Sequence, residues 1–177
     1  MFKTLISSAA CILGLLCSSA SAQETSNRVS IQTDWSVFVE SDPKECWAVT
    51  VPKKSEYSRG GIVVPNKKIK RGNPLLFVFH RPSQNVNGQV ALAGGYTFAN
   101  GLPIELDLDS VKYELVADGD WAWPPSPADD AKIIAAMKRG AKAVVTAKSE
   151  RGTKIKDTFS LKGFTAAIKD TKKSCAD

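Results

Sequence analysis

Seven cationic side chains stand within a short segment of this 177-residue chain: Lys53, Lys54, Arg59, Lys67, Lys68, Lys70 and Arg71, with Glu56 the one acid among them. The whole chain carries a formal charge of +6, so this segment accounts for its positive excess. Cations at that density can recruit anionic partners such as lipopolysaccharide, acidic lipid headgroups on a membrane periphery, a host glycan or nucleic acid. The alternative is a solvated loop whose lysines blunt a sheet edge. Nucleic acid is the least suited of these partners. Tyr57 is the only aromatic in the segment, whereas stacking platforms interleave several aromatics with the basic residues.

Catalytic chemistry has little to work with. His80, in FVFHRP, is the only histidine, and its place at a strand end favours a structural role. The chain contains no G-x-S-x-G nucleophile elbow, P-loop, dinucleotide fingerprint or H-E-x-x-H pair, so it reads as non-enzymatic and without a cofactor. An acidic stretch holds Glu105, Asp107, Asp109, Glu114, Asp118 and Asp120 against Lys112 alone. Asp107 and Asp109 share a strand face, yet two carboxylates without the EF-hand pattern make no calcium or other metal site. An enzyme acting on an envelope glycan would need Glu105, Asp107 or Asp109 to line a cleft. Trp121 and Trp123 flank Ala122 before Pro124-Pro125, an arrangement that serves either recognition or core packing.

These groups must be positioned by what remains after export. The N-terminus has Lys3, an apolar run from Leu5 to Cys17 and the small residues Ala20-Ser21-Ala22. That order reads as a signal peptide spanning residues 1–22, cleaved before Gln23. The remaining residues, 23–177, suit one domain with a real core. Cys11 and Cys17 leave with the signal, so Cys46 and Cys175 remain. A pair of cysteines in an exported protein most simply forms one disulfide. No Cys-x-x-Cys is present to argue for a redox or metal-binding pair.

The periodicity is mostly that of strands. WSVFV from Trp35 and CWAVTV from Cys46 alternate, and LLFVFHR and QVALAGGYTF are short apolar runs separated by an Asn87-Gly88 turn signal. Ile104 to Leu108, VKYELV, DWAW, AKAVVTAK and KIKDTFS complete the set. Two helices interrupt it. One spans 127–139, with Ser126 as N-cap, Pro127 in the first turn and Asp129 and Asp130 favouring the dipole. The other spans 161–174 with Ser160 as N-cap, and aligns Leu161, Phe164, Ile168 and Cys175 on one inward stripe. The expected fold is an antiparallel β-sandwich or flattened barrel with two packed helices.

Four stretches also carry a likeness. DWSVFVESDPKECWAV, GGYTF, DGDWAWPPSPADDAKIIAAMKRGAKAVVTAKSERGT and DTFSLKGFTAAI resemble the invasion-associated locus B family of exported bacterial proteins, over nearly all of residues 23–177. The resemblance implies a β-rich periplasmic or outer-membrane-associated protein of a family named for host-cell invasion in pathogens. Many members carry a further cysteine pair in a mid-chain hairpin. Here Trp121 and Trp123 occupy roughly that place, and the basic segment matches no family motif.

Overall fold

Alternating side chains become strands because one face of each can be buried while the other stays wet. The structure, a computed structural model, describes residues 27–176; the signal segment expected at 1–22 lies outside the described residues. The chain forms β1 (Arg28–Gln32), β2 (Trp35–Ser41), β3 (Lys44–Thr50), β4 (Lys54–Arg59), β5 (Ile62–Val63), β6 (Leu75–Arg81), β7 (Val86–Ala93) and β8 (Ile104–Leu108). It continues through β9 (Val111–Asp118), β10 (Trp121–Trp123), helix α1 (Pro127–Met137), β11 (Lys142–Lys148), β12 (Lys154–Ser160) and helix α2 (Phe164–Ala176).

The strands run antiparallel to their neighbours in the order β1-β2-β3-β6-β7-β10-β9-β8-β11-β12-β4-β5. The turning point is β9. Its Val111–Leu115 half pairs with β8, and its Val116–Asp118 half pairs with β10, so one strand passes from the first half of the sheet to the second. The two halves share one core. Trp35, Val37, Leu76, Val78 and Leu92 come from the first half and Leu106, Val145 and Phe159 from the second, in a single cluster with Ile133, Phe164 and Ile168 of the helices. The sandwich expectation therefore holds, and the sheet stays open, with β1 and β5 as its edges.

Helix α1 is capped as its sequence dictates: the Ser126 hydroxyl accepts from the Asp129 N–H, satisfying one of the orphan donors of the first turn. Asp130 turns inward instead of serving only the dipole, and accepts the Val90 N–H at 2.7 Å. Helix α2 begins at Phe164, three residues later than its periodicity suggests. Ser160 ends β12, and its hydroxyl caps a turn by accepting from the Lys162 N–H. The reason for the late start is Gly163, whose φ of +89° is not helical and whose missing Cβ would lie 1.9 Å from the Gln32 carbonyl oxygen. The SLKGF stretch is thus a turn pressed on β1, held further by Trp35 Nε1 donating to the Ser160 carbonyl at 3.0 Å. Leu161, Phe164 and Ile168 are buried as the stripe requires. The expected disulfide joins Cys46 to Cys175, tying α2 to β3 across the outer end of the core.

Two corrections concern strands. The basic segment is not one loop: Lys54–Arg59 and Ile62–Val63 form β4 and β5 at the sheet edge. Its polar composition hides a strand because only Tyr57 faces the core, and the pairing comes from β12, about a hundred residues away. The turn between β6 and β7 also falls earlier than Asn87-Gly88. A 3-10 turn over Pro82–Gln84 ends at left-handed Asn85, and Gly88 becomes the extra residue of a bulge where the register slips between Phe79 and His80.

Candidate functional site

The basic segment is anchored by its last cation. β4 and β12 set Ser55 opposite Asp157, and the chain after β5 returns to place Arg71 over the pair. Arg71 Nη1 donates to Asp157 Oδ2 at 2.9 Å and Nη2 to Oδ1 at 2.7 Å, a two-pronged geometry that a guanidinium matches and a lysine cannot. Nη2 also donates to Ser55 Oγ at 2.9 Å, and that hydroxyl donates to Asp157 Oδ1. The Arg71 and Asp157 side chains are 8% and 5% exposed. Burial pulls the Arg71 pKa down, but the hydrogen bonds and charge of Asp157 outweigh it and the guanidinium ends above its usual range. The rings of Tyr57 and Tyr96 flank the guanidinium carbon, with centroids 5.2 and 5.9 Å away. Burial, followed by the Asp157 charge, raises the Tyr96 phenol well above its ordinary value.

The backbone locks the same corner. Gly72 N–H donates to the Gly95 carbonyl at 2.8 Å. A Cβ at Gly95 would fall 2.4 Å from the Gly72 oxygen, so the approach depends on glycine there.

Beside this clamp lies a cleft of about 470 Å³, walled by Tyr57, Tyr96 and Thr153 and rimmed by Arg59, Lys68, Lys70 and Arg151. Arg59 Nη2 donates to Thr153 Oγ1 at 2.8 Å. None of the four rim cations forms an ion pair among the described residues, while Glu150 is the only acid on the lining. The cleft is therefore a cationic, tyrosine-walled depression whose floor charge, Arg71, is already neutralised.

The expected site residues divide accordingly. Arg59, Lys68 and Lys70 reach the cleft, and Arg71 supports it from beneath instead of contacting solvent. Lys53 pairs with Asp34 at 2.6 Å, Lys54 pairs with Glu56 at 2.9 Å, and Lys67 is exposed on the 3-10 turn Asn66–Lys68. Trp121 and Trp123 lie elsewhere. Their rings stack 5.9 Å apart, and Trp121 meets Phe77 at 5.6 Å in a second cluster on the outer face of β6 and β7. Arg151 and Tyr96 were not legible as partners of the basic segment: the turn before β12 and the Gly94-Gly95 corner bring them in from distant sequence.

Other candidate groups have local duties. Asp107 accepts the Ser110 N–H at 2.8 Å, Asp109 accepts the Ala141 N–H at 3.1 Å, and Glu105 pairs with Lys112. They do not line the cationic cleft. His80 is 3% exposed and sits across the ladder from Cys46, next to the disulfide.

Likeness to known proteins agrees with this architecture. A crystal structure of invasion associated protein B from Bartonella henselae matches with a TM-score of 0.54 at 17% identity, covering 84% of this chain and 98% of that one; this is a likeness of fold. No curated protein matches the chain. The profile of the Invasion associated locus B (IalB) protein family matches residues 35–172, a span that runs from the Trp35 clasp through both sheet halves and α1 into the last turns of α2, and so the chain belongs to the Invasion associated locus B family.

Proposed function

We propose that this protein acts by binding rather than by catalysis, as an exported component of the cell envelope that holds an anionic macromolecule in its cationic cleft. The single observation that carries this reading is the set of four cations, Arg59, Lys68, Lys70 and Arg151, that form no ion pair among the described residues and stand around a tyrosine-walled depression. Surface cations left without carboxylates repel one another, and an anionic ligand relieves that repulsion. The Arg71–Asp157 clamp beneath them fixes the position of the loop without using the rim charges. An exported location is supported by the Cys46–Cys175 disulfide and by family membership, because disulfides persist in oxidising compartments. Within the envelope the reading is periplasmic or outer-membrane-associated, with a lipopolysaccharide-type or host-surface polyanion as the ligand class.

The test is co-sedimentation with lipopolysaccharide over a salt series. Wild type should bind at low salt and lose binding as salt rises. The variant Lys68→Glu/Lys70→Glu/Arg151→Glu should lose it at every salt concentration. Undiminished binding by that variant would refute the assignment of the cleft. Protease treatment of intact cells then separates the two locations: cleavage identifies a surface protein and a host-facing role, whereas protection until the outer membrane is opened identifies a periplasmic partner protein serving envelope upkeep.

A further inference from the structure

A hairpin forms the sheet edge in the middle of the basic segment. β4 and β5 set Arg59 opposite Ile62 and Ser58 opposite Val63, and Gly60-Gly61 joins them with φ values of +57° and +83°, the two-residue turn that such a hairpin favours. We propose that this hairpin docks the protein on a bilayer containing anionic phospholipid, with Ile62 and Val63 entering the interface and the surrounding cations meeting the headgroups. The proposal rests on the cationic reading above for the rim charges it shares, Arg59, Lys68 and Lys70, and adds an apolar contact that a soluble polyanion does not use.

The first observation is exposure. Among the described residues Ile62 and Val63 are the most exposed large apolar side chains, at 74% and 78%. Edge strands are ordinarily blunted by charge, yet the outermost strand here carries two β-branched aliphatics. Leu102, 45% exposed, shares a depression of about 530 Å³ with Gly60 and Gly61, so a third apolar side chain stands beside the turn.

Charge gives the second observation, and it lies on both faces of the hairpin. Arg59, Lys68 and Lys70 line the cleft on one face. On the other, Ser58 pairs with Lys154 and Lys154 with Lys148, and both lysines line the depression beside the turn. None of these cations forms an ion pair among the described residues.

The combination selects the occupant. A peptide strand added at this edge would find two residues of ladder, too few for strand addition to contribute much. A second copy would set like charge against like. A soluble polyanion would neutralise the collar and leave the aliphatics in water. An anionic bilayer uses both features, because buried apolar area and headgroup charge add in interfacial binding. Phospholipid fits better than lipopolysaccharide. Ile62 lies directly across the ladder from Arg59, about 5 Å away, so the two reach apolar and anionic layers together only where no oligosaccharide covers the charges.

The test is flotation of the folded, oxidised protein with vesicles of phosphatidylglycerol in phosphatidylcholine, alongside heparin as a polyanion without acyl chains. Wild type should bind these vesicles, lose them as salt rises and ignore phosphatidylcholine alone. Ile62→Ser/Val63→Ser changes two exposed side chains, so it should fold normally. It should weaken vesicle binding by about tenfold or more and leave heparin binding unchanged, whereas Lys68→Glu/Lys70→Glu/Arg151→Glu should weaken both. Val63→Cys labelled with nitrobenzoxadiazole reports insertion directly: its emission should shift to the blue with the vesicles and stay fixed with heparin. Vesicle affinity unchanged in the serine variant, or bound protein whose label does not shift, overturns the proposal. A shift with lipopolysaccharide aggregates and none with the vesicles overturns it too. Wild type that binds heparin but not the vesicles refutes the docking and spares the cationic cleft; wild type that binds neither refutes both.

Discussion

Replacing Asp157 by asparagine isolates the clamp on which the cationic cleft is built. The change keeps the shape of the side chain and removes one charge, leaving Arg71 buried against Ser55 and two tyrosine rings. At 8% and 5% exposure the pair is shielded from solvent, unlike Lys54–Glu56, whose side chains are 66% and 48% exposed and which contributes little. Removing one partner of a buried ion pair strands the other, at a cost of about 3–5 kcal/mol. With a urea dependence of about 2 kcal/mol per molar for a domain of this size, the unfolding midpoint should fall by roughly 2 M. The second arm is Arg71→Met/Asp157→Leu. Because the desolvation penalty of both charges disappears together, this double variant should recover most of the loss. Urea unfolding followed by tryptophan fluorescence reads both. A midpoint drop under about 0.5 M for Asp157→Asn, or a double variant as unstable as the single one, would refute the argument that a buried charge pair holds this corner. Asp157→Asn should also weaken polyanion binding, because Lys68 and Lys70 are carried on the segment that Arg71 pins.

Two further outcomes follow from the core. The Cys46–Cys175 bond closes 129 residues of sequence separation, so Cys46→Ser/Cys175→Ser should cost up to about 5 kcal/mol through the entropy of the unfolded chain, read as a lower thermal midpoint; the intact mass of the oxidised protein should fall about 2 Da below the reduced form. Burial, aided by the neighbouring Asp129 charge and opposed by the Val90 N–H, raises the Asp130 carboxyl to about 6 from 3.8. A raised acid favours the folded state when protonated, so its contribution is full below about pH 4 and is lost as pH rises through about 6. The stability difference between wild type and Asp130→Asn should therefore shrink across that window as pH increases, and an unchanging difference would show that Asp130 titrates normally.

Much of the fold was legible because strand alternation and helix capping are local. WSVFV and KIKDTFS alternate buried positions with more exposed ones, LLFVFHR is an apolar run buried on both faces, and Ser126, Pro127 and Asp129 form a helix start without help from the rest of the chain. The Cys46–Cys175 bond was legible for a different reason: with two cysteines in residues 23–177, pairing needed no geometry. The late start of α2 was not legible from the apolar stripe. Leu161 fits that stripe whether it sits in a helix or a turn, and only the contact between Gly163 and the Gln32 carbonyl decides between them.

The sequence by itself determined composition-level properties of the functional surface: a cluster of cations, a single histidine and no catalytic motif. Tertiary structure decided which cations are free. Arg71 is spent on Asp157 and Lys53 on Asp34, while Arg151 arrives from another turn to join Arg59, Lys68 and Lys70. The physical reason is that charge type is a property of a residue, whereas pairing and desolvation are properties of neighbours brought together across the sheet. The same holds for His80: its identity is written in one letter, but its burial, with Nε2 unpartnered among the described residues, is decided by the neighbours that the tertiary structure brings around it.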